Sequence, residues 1–499
     1  MTGPVHTAVA IVGGGPVGLL LAAEVARRGV RTLLLEERPG VCPRPKATTL
    51  HARTVQSLAR AGYLPAPPCP RSGGEVSSPF HFAGVHGLLI TAPAGEPQPV
   101  LKRPQEQFER DFERRAREAG ATVVREHRMV DLRIEREGVL LTADGPRGRI
   151  DVRARYVVAA DGARSAVRDL AGVPSTTHPA TVSAMMGIVR LGGPGAPRPG
   201  WHRTPRGWVC IKDMPDGWTH VRTVDCSGAH PDRTRAPELA ELRREVERIL
   251  GRRVDMAEPR WLTRFSDFSR LVRSYRSGRV LLAGDAAHVH FPIGGQGLST
   301  GLLDALNLGW KLANAVCGAA AVDLLDTYDE ERRPAAARVI DNVRAQVALM
   351  RPDRAPDSLD ELPAGVYGGD LVRIGRMISA QDTVVPARSP RPSRWEGRFL
   401  YNTGLVTGAG RSDVIRLLRD GRMLLLLFAG AGRADDVELP ETWHRYVRVV
   451  RAEPVAGLPR GAVLVRPDGY VAWASETGAG TRRALSAWIS PARTYRKAG

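Results

Sequence analysis

Asp285, His290 and the glycines Gly294, Gly295 and Gly297 fall inside one stretch, VLLAGDAAHVHFPIGGQGLSTG from Val280 to Gly301, with a composition suited to holding a ligand. The apolar run Val280 to Ala283 predicts a buried strand that stops at Gly284. Asp285 then stands at the carboxyl edge, where open α/β sheets place their ligands. The glycines let backbone approach a flat or charged group closely, and a helix opening near Leu298 points unpaired N–H groups at negative charge. A plain glycine-rich loop capped by a carboxylate has the same composition, so the stretch gains meaning only beside a second motif. His290 is a pocket residue by position, and a packed histidine would suit the same place.

The second motif is at the amino terminus. An apolar strand, Ala8 to Val12, runs into Gly13-Gly14-Gly15-Pro16-Val17-Gly18, and a helical pattern from Leu19 to Arg28 stops at Gly29. A further strand, Arg31 to Leu35, ends in Glu36. In this context G-x-G-x-x-G reads as a dinucleotide site: Gly13 for the tight turn, Gly15 for approach to a pyrophosphate, Gly18 for helix packing and Glu36 for a ribose. Tyr156 to Gly162 repeats the logic, with an apolar strand ending in Asp161-Gly162 and Ser165 placed to cap a helix containing Arg168. Arg44, Lys46 and Arg53 are near enough in sequence to serve phosphates, or are solvated surface charge.

Elements must hold these motifs together. Residues 65–100 are rich in Pro, Gly and Ser and predict loops and strands leaving the sheet, and Gln105 to Gly120 predicts a charged amphipathic helix. From Pro174 to Leu262 short strands, including Gly207 to Asp213 and Trp218 to Val224, predict a separate sheet covering a ligand, followed by a helix from Glu238 to Leu250. Helical patterning continues from Leu302 through Val316 and from Arg332 to Met350, and a Pro- and Arg-rich linker precedes a last unit with strands at Met423 to Phe428 and Ala462 to Arg466.

At 499 residues the chain suffices for two or three domains. No apolar run reaches membrane-spanning length and MTGPVHTAVA lacks signal-peptide character, so a cytoplasmic protein without a membrane partner is expected. Five scattered cysteines, none in a C-x-x-C pair, suggest neither a disulfide framework nor a metal site. The formal charge of +19 is spread among acids, as in Glu241, Arg243, Arg244, Glu245, so no nucleic-acid partner is expected.

GGGPVG at Gly13 to Gly18 with Glu36, AADGARSAVR at Ala159 to Arg168 and GDAAHVHFPIGGQG at Gly284 to Gly297 together resemble the FAD-dependent aromatic hydroxylases related to p-hydroxybenzoate hydroxylase, the group A flavoprotein monooxygenases. The ending VLVRPDGYVAW resembles the thioredoxin-like domain, without redox cysteines, of phenol hydroxylases and actinobacterial aromatic polyketide hydroxylases. The resemblance implies an α/β (α+β) fold: a Rossmann-like FAD-binding domain in 1–74, 105–175 and 263–350, an inserted β-sheet substrate domain in 75–104 and 176–262, a linker in 351–390 and a thioredoxin-like domain in 391–499. It implies noncovalent FAD held by Gly13, Gly15, Gly18, Glu36, Arg44, Gln105, Asp161, Gly162, Asp285, Gly297, Leu298 and Ser299. Pro292 and Gly295 would line the isoalloxazine ring beside His290.

The implied reaction uses NADPH, O2 and a flavin C4a-hydroperoxide to hydroxylate a phenolic ring of a polycyclic aromatic polyketide in secondary metabolism, by a monomer or homodimer. Baeyer–Villiger oxygenation, quinone modification and a non-hydroxylating flavin-binding accessory role share the fold. Ser299 stands where Asn is usual, Leu303 where Gln is usual and Phe291 where Pro is common.

Overall fold

The computed structural model describes residues 3–43, 46–68, 74–193, 196–232, 235–354, 356, 358–362, 370–429 and 439–490. The strands Val5–Val12, Thr32–Leu35, Thr122–Val124, Gly148–Ala159 and Val280–Leu282 form a parallel sheet. An antiparallel meander, Arg128–Ile134 and Val139–Gly145, extends it alongside the first half of Gly148–Ala159. The helix Pro16–Ala26 is buried on nearly every side, Leu19, Leu20 and Leu21 all at 0% exposure, because it lies between the sheet and the helices Gln105–Glu118 and Gly297–Val316. A helix covered all round needs no polar face, so its apolar residues do not segregate. Glycine allows the closest of these contacts: a Cβ on Gly309 would lie 2.6 Å from Glu24 Cβ.

The inserted unit is a five-stranded antiparallel sheet in the order Gly200–Thr204, Gly207–Asp213, Thr219–Asp225, Ser183–Gly192, Asp255–Ser266. One face carries Met185, Val189, Val209, Ile211 and Val221 and packs on Leu242, Val246 and Ile249 of the helix Leu239–Leu250, a spacing that puts all three on one helix side. Gly251 ends that helix at φ +71°, the left-handed conformation glycine adopts without strain. The opposite face meets the hairpin Glu75–Phe82/Val85–Pro93 in a second apolar cluster containing Phe80, Phe82, Trp208, Phe291 and Ile293.

A helix, Leu371–Ile378, occupies the segment expected to be a linker. Asp370 caps it by accepting from Val372 N and Arg373 N, and Ile374, Met377 and Ile378 enter the cluster beneath the hairpin. Its apolar pattern spans about two turns within Arg- and Pro-rich sequence, too short to stand out by periodicity.

The final unit is a six-stranded mixed sheet with Met423–Phe428 inside it, buried on both faces and hence uniformly apolar. Arg466, expected as the end of a buried strand, instead anchors this unit to the first domain. Its guanidinium donates to Glu331 Oε1 and Oε2 at 2.7 Å each and to Asp468 Oδ1 at 2.9 Å, while Lys311 Nζ lies 2.9 Å from Glu331 Oε2. Arg60 makes a second anchor, donating to Glu96 and to Leu400 O, with Asn402 N completing the Glu96 carboxylate. The fold class is the one expected from the sequence, and among the described residues no helix is long and apolar enough to cross a membrane.

Candidate active site

Parallel register sets the strand ends in one row. Val12 lies opposite both Leu35 and Ala159, and Ala159 lies opposite Leu282. Gly13, Glu36, Asp161 and Asp285, distant in sequence, therefore share one carboxyl edge.

The glycines of the first turn are there for different reasons. A Cβ on Gly13, at φ +109°, would lie 2.2 Å from Ala160 O, and one on Gly18 would lie 2.0 Å from Gly13 O. The fold itself demands both. Gly15 has φ −77° and nothing within 4 Å of the missing Cβ, so the chain alone does not require glycine there. The space lies before the start of Pro16–Ala26, whose first N–H groups favour an anion. Glu36 is fixed alongside, Oε2 accepting from Gly14 N at 2.5 Å and Oε1 from Arg38 N at 3.0 Å.

Asp161 Oδ2 accepts from Val167 N at 3.1 Å, while its buried Oδ1 has no partner within the protein, and burial raises its pKa. Gly162, at φ +85°, again borders open space. Ser165 caps the next helix as expected, accepting from Arg168 N at 3.0 Å, and Arg168 Nη1 reaches Ala286 O, joining this turn to that of Asp285. Asp285 is exposed on the turn Gly284–Ala286. Buried Asp304 braces that turn by accepting from Gly284 N, His288 Nε2 and Arg332 Nε. Gln105 opens the helix Gln105–Glu118 half-buried and bonded to Glu109, with its N–H on Ala47 O. Arg44 lies outside the described residues.

The turn after Phe291 is made by Pro292, exposed, and by Gly294 and Gly295 at φ +74° and +62°. Gly297 then begins the helix Gly297–Val316, leaving Leu298 half-buried and Ser299 buried. Ser299 Oγ accepts from His51 N at 3.1 Å, so this side chain binds protein backbone and leaves the helix-start amides to a ligand. Phe291 is buried against Phe265, ring centroids 5.4 Å apart, and Leu303 is buried in the same helix as Ser299. His290 Nδ1 donates to Phe291 O at 2.9 Å; its Nε2 is buried without a partner, near the position a Cβ of Gly297 would take. Burial lowers the pKa of this ring, leaving it neutral with an acceptor nitrogen at the helix start.

An open cradle at Gly15 and Gly162, a helix start at Gly297 and unpaired polar atoms on Asp161 and His290 fit FAD laid along the strand row. Sequence reasoning missed His51, whose ring donates from Nε2 to Gly294 O at 2.8 Å and whose Nδ1 is left unpaired. Burial, opposed by that bond and reinforced by Lys102, lowers its pKa to about 4. It also missed Lys102 and His81, which lie against Phe80 of the aromatic cluster. These come from separate strands, and no spacing in sequence could have linked them.

Residues 6–343 match the FAD binding domain family, and 393–492 match the aromatic-ring hydroxylase C-terminal family. A dialkyldecalin synthase of Streptomyces rugosporus is 36% identical over 489 residues, covering 97% of this chain and 99% of the relative. The 12-dehydrotetracycline 5-monooxygenase/anhydrotetracycline 6-monooxygenase of Streptomyces rimosus is 35% identical over 509 residues, again covering 97% and 99%. An aromatic hydroxylase from angucycline biosynthesis superposes with a TM-score of 0.84 at 33% identity, covering 98% of this chain and 100% of that one. With both family matches falling on the two units that carry the strand row and the docked C-terminal sheet, this chain belongs to the FAD-dependent aromatic hydroxylases, a family of flavoprotein monooxygenases.

Proposed function

We propose that the protein uses NADPH and O2 to hydroxylate a phenolic ring of a polycyclic aromatic polyketide in cytoplasmic secondary metabolism. One observation carries the reading. Phe291 and Ile293 of the flavin turn share an apolar cluster with Phe80 of the hairpin and Trp208 of the inserted sheet, with Trp201 and Phe265 packed against it. The cofactor edge thus faces an aromatic wall suited to a flat polycyclic ligand. The relative named for 12-dehydrotetracycline and anhydrotetracycline supports the same substrate class.

FAD, when bound and reduced, supplies the electrons and the C4a position through which one atom of O2 reaches the ring. The chain's own residues do the rest. Gly15 and the helix start at Pro16 receive the pyrophosphate, Glu36 the adenosine ribose, and Asp285 the ribityl side. The amides opening Gly297–Val316 stabilise negative charge on the flavin ring, and Phe291 with Phe265 keeps water from the reacting face.

The test is NADPH oxidation by FAD-loaded protein with and without aromatic polyketides. Acceleration by the substrate together with a product about 16 mass units heavier, as transfer of one oxygen requires, supports the reading. A second reading, a flavin-binding protein that shapes a polyketide without hydroxylating it, is favoured by the identity to a dialkyldecalin synthase. It would give a rearranged product of unchanged mass.

A further inference from the structure

Three buried amide side chains lie against the protein side of the turn Pro292 to Ser299. The helix Asp326–Leu349 carries Asn342 and Gln346 one turn apart on one face, at 1% and 0% exposure, and Gln296 of the turn is at 2%. Gln296 Oε1 accepts from Asn342 Nδ2 at 2.7 Å, and Gln296 Nε2 donates to Ile378 O at 3.3 Å, at the end of the helix Leu371–Ile378. Gln346 Oε1 accepts from Ala83 N at 3.0 Å. Gly294 makes room for this approach: a Cβ there would lie 3.2 Å from Gln346 Nε2 and 3.6 Å from Gln296 Oε1.

Ala83 is at the tip of the hairpin Glu75–Phe82/Val85–Pro93, which carries Phe80 of the aromatic wall. It stands at φ +49°, a left-handed conformation that costs a residue with a Cβ and persists only where neighbours hold it. The next residue, Gly84, abuts Trp208, since a Cβ there would lie 3.0 Å from the indole, and Trp208 Nε1 donates to Met350 O at 2.6 Å, at the end of the same helix. The last turns of Asp326–Leu349 thus hold the hairpin tip and the flavin turn together.

Backbone partners fix which way each amide points. The N–H of Ala83 needs an acceptor, which sets Gln346 Oε1 on the hairpin and Nε2 towards Gly294; the carbonyl of Ile378 needs a donor, which sets Gln296 Nε2 there and leaves Oε1 to Asn342 Nδ2. Two buried ends have no partner among the described residues, the donor Gln346 Nε2 and the acceptor Asn342 Oδ1. They are complementary and sit on successive turns of one helix. Joining them would give a single chain of hydrogen bonds, donating in one direction from Ala83 N–H to Ile378 O, in which each bond polarises the next. A buried amide end left unpaired is costly, so this break is the point at which the chain gains most by closing.

We propose that Gln346 is a positioning residue that couples the cofactor to the substrate wall: with FAD seated on the turn, Gln346 Nε2 joins Asn342 Oδ1, the amide chain closes, and the hairpin tip is held in place. Loading of the flavin and ordering of the wall that carries Phe80 then become one event. The proposal rests on the reading of Pro292 to Ser299 as the flavin turn and adds what that turn does to the hairpin.

The experiment compares the full chain with and without bound FAD by hydrogen–deuterium exchange at the hairpin tip, Phe80 to Gly84, in the absence of NADPH and polyketide. In the wild type FAD is expected to slow exchange there by about tenfold, as a local opening coupled to ligand binding requires. Gln346→Leu should lose this FAD-dependent slowing with FAD still bound. Asn342→Leu leaves the bond from Ala83 N to Gln346 untouched and should lose the slowing as well, a response that a purely local contact at Gln346 would not give; it also carries the test if Gln346→Leu fails to fold. Because coupling is reciprocal, FAD affinity in either variant should fall by no more than the factor lost at the tip. Exchange in the wild type that is indifferent to FAD, or slowing that survives in either folded variant, would overturn the proposal. The two readings fail separately: slowing at the tip without oxygen transfer removes the hydroxylase reading alone, whereas oxygen transfer without slowing removes the coupling alone.

Discussion

Arg466 buries its guanidinium fully and Arg222 only in part, and their neighbours differ in kind. Around Arg466, Glu331 and Asp468 accept from the guanidinium while Lys311 and Asn307 complete the carboxylates. Around Arg222 stand Met186, Cys210, Lys212 and His220. The first arrangement fixes the C-terminal sheet on the FAD-binding domain, since Arg466 pairs with Glu331 and Asp468 accepts from Asn307 across the joint. The second leaves Arg222 beside a thioether, a thiol and two further bases, with no carboxylate paired to it among the described residues. A fully buried charge needs partners, and here they hold two units together, whereas a half-exposed charge can keep its water and do without them.

The contrast breaks most visibly under substitution. Glu331→Ala strands Lys311 and leaves Arg466 with Asp468 alone, and a loss of ~3–5 kcal/mol is expected in denaturant unfolding. A loss below about 1 kcal/mol would place the network among dispensable surface pairs.

Acid should act next most strongly, and at the glycine turn that His51 braces. His51 has its folded pKa lowered to about 4 from 6.5 by burial, so between those values the unfolded chain binds more protons. Its contribution is complete above about pH 6.5 and is lost as the pH falls towards 4, on the order of 3 kcal/mol in all. His51→Gln should flatten this part of the stability profile. An unchanged slope in the variant would remove His51 as its source.

A division between structure and ligand holds within the first glycine turn. Gly13→Ala must displace Ala160 and should lower the unfolding temperature even without cofactor. Gly15→Val meets only open space in the chain, so its unfolding should be unaltered while FAD affinity falls at least about tenfold. Equal losses of stability in both variants would show that Gly15 is structural.

Smallest in magnitude and opposite in sign is the effect of Arg222→Met. Removing an uncompensated cation should leave stability unchanged or raise it by about 1 kcal/mol, measured by thermal unfolding. A loss comparable to that of Glu331→Ala would erase the distinction between the regions.

What could be read from the sequence follows the same line. Gly13, Gly15, Gly18 and the Ser165 cap are local devices, each needing only its own strand and helix, and their spacing displays them. The alignment of Gly13, Asp161 and Asp285 depends on strand register and was legible only through family resemblance. Arg222, Lys102 and His81 come together from three strands, in a chain with 72 Lys and Arg residues, where one more arginine carries no signal. Helix Leu371–Ile378 was hidden for a different reason: tertiary contact with the hairpin stabilises it more than its own pattern announces it.

The central claim is that the aromatic wall and the strand row together pass oxygen from O2 to a bound ring. The direct measurement is the mass of product formed by FAD-loaded protein, NADPH and an aromatic polyketide under isotopically heavy oxygen gas. One heavy atom in the product, with NADPH consumed in equal amount, is the expected result. Product without heavy oxygen, or NADPH consumption returned entirely as hydrogen peroxide with every polyketide tried, would contradict it.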